Sequence, residues 1–406
     1  MRCDVLVLGA GPAGSAFANQ MARAGFDVLL ADRKAFPRDK PCGEFVSPEC
    51  TPYLAALDLD LAPARLGVHL VRGMRLFGYG ERALGRFRQL AGRPVTDREG
   101  FGVRRAVFDH RLLQAAERAG ARFLPRHEFV ALRTDGAGRI TGAELRDPAR
   151  NPVTCEATWV VGADGVHSPV ARALGVQRRE RWLDQFALVA HFAGVAPLPT
   201  AEVHLLPGGF FAATTVDEGL FSVNLVVPRL ALQQRTSGDW DEFVAGHFPL
   251  APGIGERLAG ARRLQPWRGT GPFAHRTTAQ TFAGAALLGD AAGYVDPLTG
   301  EGIYFALYSA RALAEAVQTA LHTPARAELA MAGYRRTRAR ELGPRLAASR
   351  ALQRALRHPW LVRTFVRGIG RWPSLADLLI TLSGDTIHPR DLLRPSFWRD
   401  FRRATA

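Results

Sequence analysis

The residues best equipped for chemistry fall in four short stretches. Gly9-Ala10-Gly11-Pro12-Ala13-Gly14 is a Gly-x-Gly-x-x-Gly, and Asp32 follows it at about the spacing of a dinucleotide fingerprint. In such a motif Gly9 allows the tight turn, Gly11 lets a pyrophosphate approach the backbone, and Gly14 lets helix and strand pack closely. The acid then takes a ribose hydroxyl pair. Gly162-Ala163-Asp164-Gly165 and Gly289-Asp290 each close an apolar run with glycine and a carboxylate, at the strand end where α/β proteins bind ligands. Taken singly, the Asp164-Gly165 pair is equally a plain turn, and Asp290 equally an N-cap-like turn residue. The fourth stretch, Arg33 to Pro48, contains three prolines, Cys42 and Glu44. It reads as a loop leaving the crevice, where proton-handling groups gather, or as a solvated connector with an incidental cysteine. Arg105 stands near a helix start, where it would hold a phosphate or be a surface arginine.

The elements around these residues are those needed to position them. Asp4 to Gly9 is a short apolar run suited to a buried parallel strand, Ser15 to Ala24 is a helix, and Asp27 to Ala31 is a second strand ending on Asp32. Between residues 66 and 98, Val68 to Val71 and Met74 to Phe77 predict antiparallel strands of a second layer. Leu112, Leu113, Ala116 and Ala119 space one face of a helix beginning near Arg105. Phe129 to Leu132, Ile140 to Leu145 and Val153 to Ala157 predict further strands. Trp159 to Val161 predicts a buried one, with a helix from Ser168. Phe186–Phe192, Glu202–Leu206, Phe210–Val216 and Leu220–Val227 predict hairpins, a plausible substrate platform. Gly253-Ile254-Gly255 imitates a nucleotide loop but has no strand before it. Ala285 to Leu288 leads into the glycine-rich loop Gly289–Gly302 and a helix from about Ile303 to Leu321, whose start offers N–H groups to an anion. Beyond Pro324 the pattern is helical and arginine-rich. Trp360 to Trp372 would either lie in a membrane interface or pack on its own protein.

Composition narrows the rest. The 406 residues support two or three domains, and 47% hydrophobic with 22% charged residues exclude wholesale disorder. The net charge of +15 is almost entirely arginine, Lys34 and Lys40 being the only lysines. It draws a protein toward anionic lipid or nucleic acid, yet no helix-turn-helix, zinc-finger or aromatic RNA-binding signature accompanies it. Cys3, Cys42, Cys50 and Cys155 form no Cys-x-x-Cys and fit a reduced compartment; the scattered histidines predict no metal site. No Gly-x-Ser-x-Gly elbow is present. Without an apolar run of spanning length or a signal peptide at Met1-Arg2-Cys3, the chain is expected in the cytoplasm, with peripheral membrane contact as an option.

With three motifs in order, residues 1 to about 320 resemble the FAD-dependent oxidoreductases that include geranylgeranyl reductases and aromatic hydroxylases. The resemblance implies an α/β fold: a Rossmann-like FAD-binding domain (1–65, 99–185, 276–323), an inserted antiparallel β-sheet substrate domain (66–98, 186–275) and a C-terminal helical region (324–406). It implies FAD contacts from Gly9, Gly11, Pro12, Ala13, Gly14, Asp32, Arg33, Arg105, Asp164, Gly289, Asp290, Gly300, Gly302 and Ile303. NAD(P)H or a reduced electron carrier would be the reductant. Lys40-Pro41-Cys42-Gly43 and Gly300-Glu301-Gly302-Ile303-Tyr304 resemble the reductase branch, whereas hydroxylases tend to Gly-Gln-Gly in the second loop. The tryptophan-rich Trp-x-Trp-x-Ile-Pro motif of the flavin halogenases is absent. Glu44 departs from the pattern, since the reductases usually carry glycine there. The expectation is therefore hydride transfer to a carbon–carbon double bond of a hydrophobic, isoprenoid-type small molecule, with Cys42 or Glu44 as proton donor. Monooxygenation of an aromatic or polyketide is the alternative, and no nucleic-acid partner is expected.

Overall fold

The computed structural model describes residues 1–59, 67–89, 96–235, 238–384 and 386–405. Its first layer grows from β1 (Arg2–Leu8), α1 (Pro12–Arg23) and β2 (Val28–Asp32). All five residues of β2 are buried, as expected of a strand covered on both faces. The parallel strands run in the order Arg122–Pro125, β2, β1, Pro152–Gly162 and Ala285–Leu287. On one face α1 packs with the helices Arg105–Arg118 and Gly302–His322 around Phe17, Met21, Leu112 and Leu313.

The two strands expected at Val153–Ala157 and Trp159–Val161 are one strand of 11 residues, Pro152–Gly162. Its first part pairs antiparallel with Ile140–Arg146, and its second part pairs parallel with β1. Exposed and buried residues alternate along the first part, and the last four are all buried. The change of burial, with no break in the backbone, produced the apparent division.

A second sheet has the order Arg262–Arg263, Gln185–Ala193, Phe221–Pro228, Gly209–Thr215, Ala201–Leu206, Gly73–Gly78, Glu81–Arg86. It is antiparallel except where Ala201–Leu206 runs parallel to Gly73–Gly78. Those strands come from distant parts of the chain, so no tight turn dictates their direction. Part of the segment expected in this layer goes elsewhere: His69–Val71 joins Gly100–Gly102 and Phe45–Val46 in a small three-stranded sheet. That sheet fixes the loop carrying Cys42 and Glu44. Gly253-Ile254-Gly255 lies in the short helix Pro252–Leu258, with Ile254 buried.

The C-terminal chain forms helices Ala327–Ala355, Pro359–Arg371, Pro373–Ser383 and Pro395–Thr405. Val362 and Val366 join the apolar layer on the second sheet, leaving Trp360 and Trp372 exposed. Packing is close: a Cβ on Gly85 would lie 2.4 Å from the Ala376 carbonyl oxygen. Among the described residues no helix is long and apolar enough to cross a membrane.

Candidate functional site

The three motifs converge at the carboxyl ends of the parallel strands. Gly9 has φ +107°, and a Cβ there would sit 2.5 Å from the Ala163 carbonyl oxygen. A Cβ on Gly14 would sit 1.8 Å from the Gly9 carbonyl oxygen, so only glycine permits this turn. Gly289, at φ +57°, brings the third motif within 2.8 Å of Ala13 by the same measure. Gly11 is different. Its Cβ position would meet only the Arg38 guanidinium, at 3.7 Å, so the backbone there is open to a ligand. Pro12 occupies the first turn of α1 and no side chain caps that end, leaving its N–H groups to an anion.

The acids are arranged around this opening. Asp32 Oδ2 accepts the Ala10 N–H and Oδ1 the Lys34 N–H, each at 2.8 Å. A carboxylate has about four acceptor sites, so capacity remains for a hydroxyl pair. Arg33 beside it is exposed. Asp164 accepts the Val170 N–H with Oδ2, while its buried Oδ1 has no partner. Burial pushes this carboxyl up to about 6. An orphaned buried acceptor beside a glycine cradle is what a hydroxyl-bearing cofactor would satisfy. Asp290 lies 3.7 Å from the Lys40 ammonium.

Arg105 is neither exposed nor free. It is 4% exposed, opens its helix, and grips Asp109 with two hydrogen bonds of 2.6 and 2.7 Å. Burial opposes its charge, but Asp109 more than offsets that and holds the guanidinium above its usual range. Its charge also acts on the Cys42 side chain. Arg38, not anticipated from sequence, lies 3.3 Å from Asp109 and 4.0 Å from Asp32. Burial lowers the pKa of both Arg38 and Lys40. Cations held against their own desolvation around an open turn suit a diphosphate, which would stabilise their charged forms.

The other stretch expected at the cofactor, Gly300 to Ile303, leads into the helix Gly302–His322. Gly300 has φ +73° and packs against Phe45, and Ile303 is buried. This stretch is braced from behind by the long C-terminal helix. Asp296 accepts from Ser349 at 3.0 Å, Glu301 pairs with Arg345 at 3.3 Å, and Tyr304 donates to Glu341 at 3.0 Å. Burial pushes Asp296 up to about 6, and the Tyr294 hydroxyl well above its ordinary value.

Cys42 and Glu44 separate. Cys42 is half-buried at the crevice, whereas Glu44 is 3% exposed and turns beneath the loop. Glu44 Oε1 accepts the Arg105 backbone N–H at 3.1 Å, and Oε2 lies 2.5 Å from His191 Nε2. Gln265 Nε2 stands 2.5 Å from the other ring nitrogen. Glu44 also has φ +55°, a conformation that costs a non-glycine residue about 1 kcal/mol. Its buried bonds keep it there. His191 carried no sequence signal beyond its place in a β-rich stretch, and Gln265 carried none.

The family comparison agrees with this geometry. The model of the FAD binding domain family matches residues 2–342. Over 333 residues the chain is 33% identical to menaquinone reductase of Mycobacterium tuberculosis, covering 77% of this chain and 76% of that one. It is 28% identical to geranylgeranyl diphosphate reductase of Rhodobacter capsulatus, covering 82% and 80%. Among solved structures, the myxobacterial chondrochloren halogenase CndH superposes with a TM-score of 0.80 at 25% identity, covering 98% of this chain and 99% of that one. The glycine cradle, the orphaned Asp164 oxygen and the family match together identify the chain as a member of the FAD binding domain family and an FAD-dependent oxidoreductase.

Proposed function

We propose that this flavoenzyme reduces a carbon–carbon double bond of a lipophilic, isoprenoid-type substrate. The observation that carries the reading is the position of the reductase-like loop. Lys40 reaches Asp290, the Glu44 N–H points back at Cys42 Sγ, and Phe45 packs on Gly300, so the Lys40–Phe45 segment folds into the crevice. The names of the two reductase relatives, one for menaquinone and one for geranylgeranyl diphosphate, support a polyprenyl substrate.

Bound FAD supplies hydride transfer and electron storage. The chain's own residues do the rest. Asp32 accepts from ribose hydroxyls, and the open backbone at Gly11, with Arg38 and Lys40, takes the diphosphate. The N-terminus of Gly302–His322 favours negative charge beside it. Cys42 Sγ would give its proton to the alkene carbon that does not receive hydride. The thiolate is then reprotonated from water, and NAD(P)H or a reduced carrier restores the electron pair. Glu44, with both oxygens bonded below the loop, is a support for Cys42 in this scheme.

The second reading, oxygen-dependent modification of an aromatic or polyketide, draws on the fold-level likeness to the halogenase. The test is to supply pre-reduced enzyme with a polyprenyl quinone, a prenyl diphosphate and an aromatic polyketide, with and without oxygen. Product heavier by hydrogen pairs without oxygen supports the reductase. Product requiring air and heavier by one oxygen overturns it.

A further inference from the structure

The bonds around Glu44 reach beyond its own loop. His191 lies in the strand Gln185–Ala193 and is 4% exposed. Its backbone carbonyl accepts the Leu264 N–H at 2.9 Å, which brings the next residue, Gln265, against its ring. On the other side the ring meets Glu44, whose carbonyl accepts the Val103 N–H at 3.0 Å and whose N–H points at Cys42 Sγ, 3.5 Å away. Arg105 adds its backbone N–H to Glu44, with its guanidinium held on Asp109. One imidazole thus joins the second sheet, the small sheet and the Cys42 loop.

We propose that His191 is a positioning residue for Cys42: protonated, it forms a buried ion pair with Glu44 that fixes the loop at the crevice, and losing the proton loosens it. The inference rests on the reading of Cys42 as the reacting thiol.

The surroundings suit two protonation states. With the Gln265 amide as it stands, ring Nδ1 accepts and Nε2 carries hydrogen to Glu44. Turned over, the amide presents Oε1 to an Nδ1–H, so a second proton enters without loss of a bond. The charged groups facing the ring are Glu44 from the loop and Arg104 from the helix start; Arg104 is itself tied to Asp217 at 2.6 Å and Glu218 at 2.8 Å. Burial lowers the pKa of His191, and the Glu44 bond and charge more than offset this, leaving it above its ordinary 6.5. The ion pair is therefore complete below 6.5 and fades as pH rises through that higher value. A charge-assisted bond is roughly twice as strong as a neutral one, which gives the change its size.

Glu44→Gly tests this without straining the backbone, because glycine suits φ +55°. In the FAD-loaded protein, Cys42 is the cysteine to label: Cys3, Cys50 and Cys155 are buried. The rate of iodoacetamide labelling at Cys42 is followed by mass spectrometry from pH 6 to 9 in wild type, Glu44→Gly and His191→Asn. The wild-type to variant ratio is taken after each rate is divided by that protein's own thiolate fraction, read from its ultraviolet absorbance. It is expected to change by roughly threefold or more across the titration of His191, read separately by NMR. A flat ratio for Glu44→Gly, with the ring titrating, overturns the proposal. Failure of Cys42→Ala to slow product formation would instead remove the donor reading and leave this result intact.

Discussion

Two buried glutamate–histidine pairs touch the second sheet, and they are built differently. Glu202 and His204 project from the same face of one strand, with His204 Nε2 3.4 Å from the carboxylate. Arg257 grips Glu202 with two bonds of 2.7 and 2.9 Å, and Phe77 stacks on the imidazole at 4.4 Å. Glu44 and His191 are 147 positions apart in the chain and meet at 2.5 Å. There the neighbouring guanidinium of Arg105 is occupied by Asp109 and only its backbone N–H reaches Glu44. The first carboxylate is neutralised by a permanent cation. The second takes its counter-charge from a proton that the imidazole can lose. The same two residue types are a fixed brace in one place and a titrating one beside the crevice.

The largest expected effect strikes the fixed brace. Arg257→Ala leaves the buried Glu202 carboxylate with only His204 and the longer 3.7 Å contact to Arg75, and should cost about 3 kcal/mol in urea unfolding. A loss of only a few tenths would show that arginine is not what neutralises this pair. His191→Ala comes next, at roughly 2 kcal/mol by the same measurement, since it strands the Glu44 carboxylate.

The pH dependence separates the pairs more sharply. Burial opposes ionisation of Glu202, but the His204 and Arg257 bonds offset it and depress its folded value. Its contribution is present above its ordinary 4.5 and is lost as pH falls. That of His191 is present below 6.5 and is lost as pH rises through its elevated folded value. Urea midpoints of the single variants against wild type should therefore converge at opposite ends of the pH scale. Convergence at the same end would erase the distinction. The smallest effect belongs to Glu44→Gly. Relief of about 1 kcal/mol of backbone strain offsets much of the lost pairing, so its net change should stay within about 1 kcal/mol while the alkaline dependence disappears.

The contrast also marks what the sequence could reveal. Gly9, Gly14, Gly289 and the acids Asp32, Asp164 and Asp290 were legible because each motif is local: strand, turn and helix lie within a few residues of one another. β-Rich composition likewise placed most of the second sheet. His191 and Gln265 were not legible, because the meeting of the imidazole with Glu44 on one side and Gln265 on the other depends on sheet register and on how one layer seats against another. Arg38 was hidden in a loop of several charges, and only the fold shows which of them turns inward. The departure at Glu44 was visible as a residue change, but its meaning lay in a positive φ and a partner far along the chain. The parallel pairing of Ala201–Leu206 with Gly73–Gly78 was hidden for the same reason.

The measurement that tests the central claim most directly is a single turnover without oxygen. FAD-loaded enzyme is reduced, mixed anaerobically with a polyprenyl quinone or prenyl diphosphate, and followed by the return of oxidised-flavin absorbance. Reoxidation that saturates with the lipid, with an equal amount of product carrying the added hydrogen pair on its prenyl chain and not as a ring quinol, is the result expected of a double-bond reductase. A flavin that stays reduced with every polyprenyl substrate until air is admitted would contradict it.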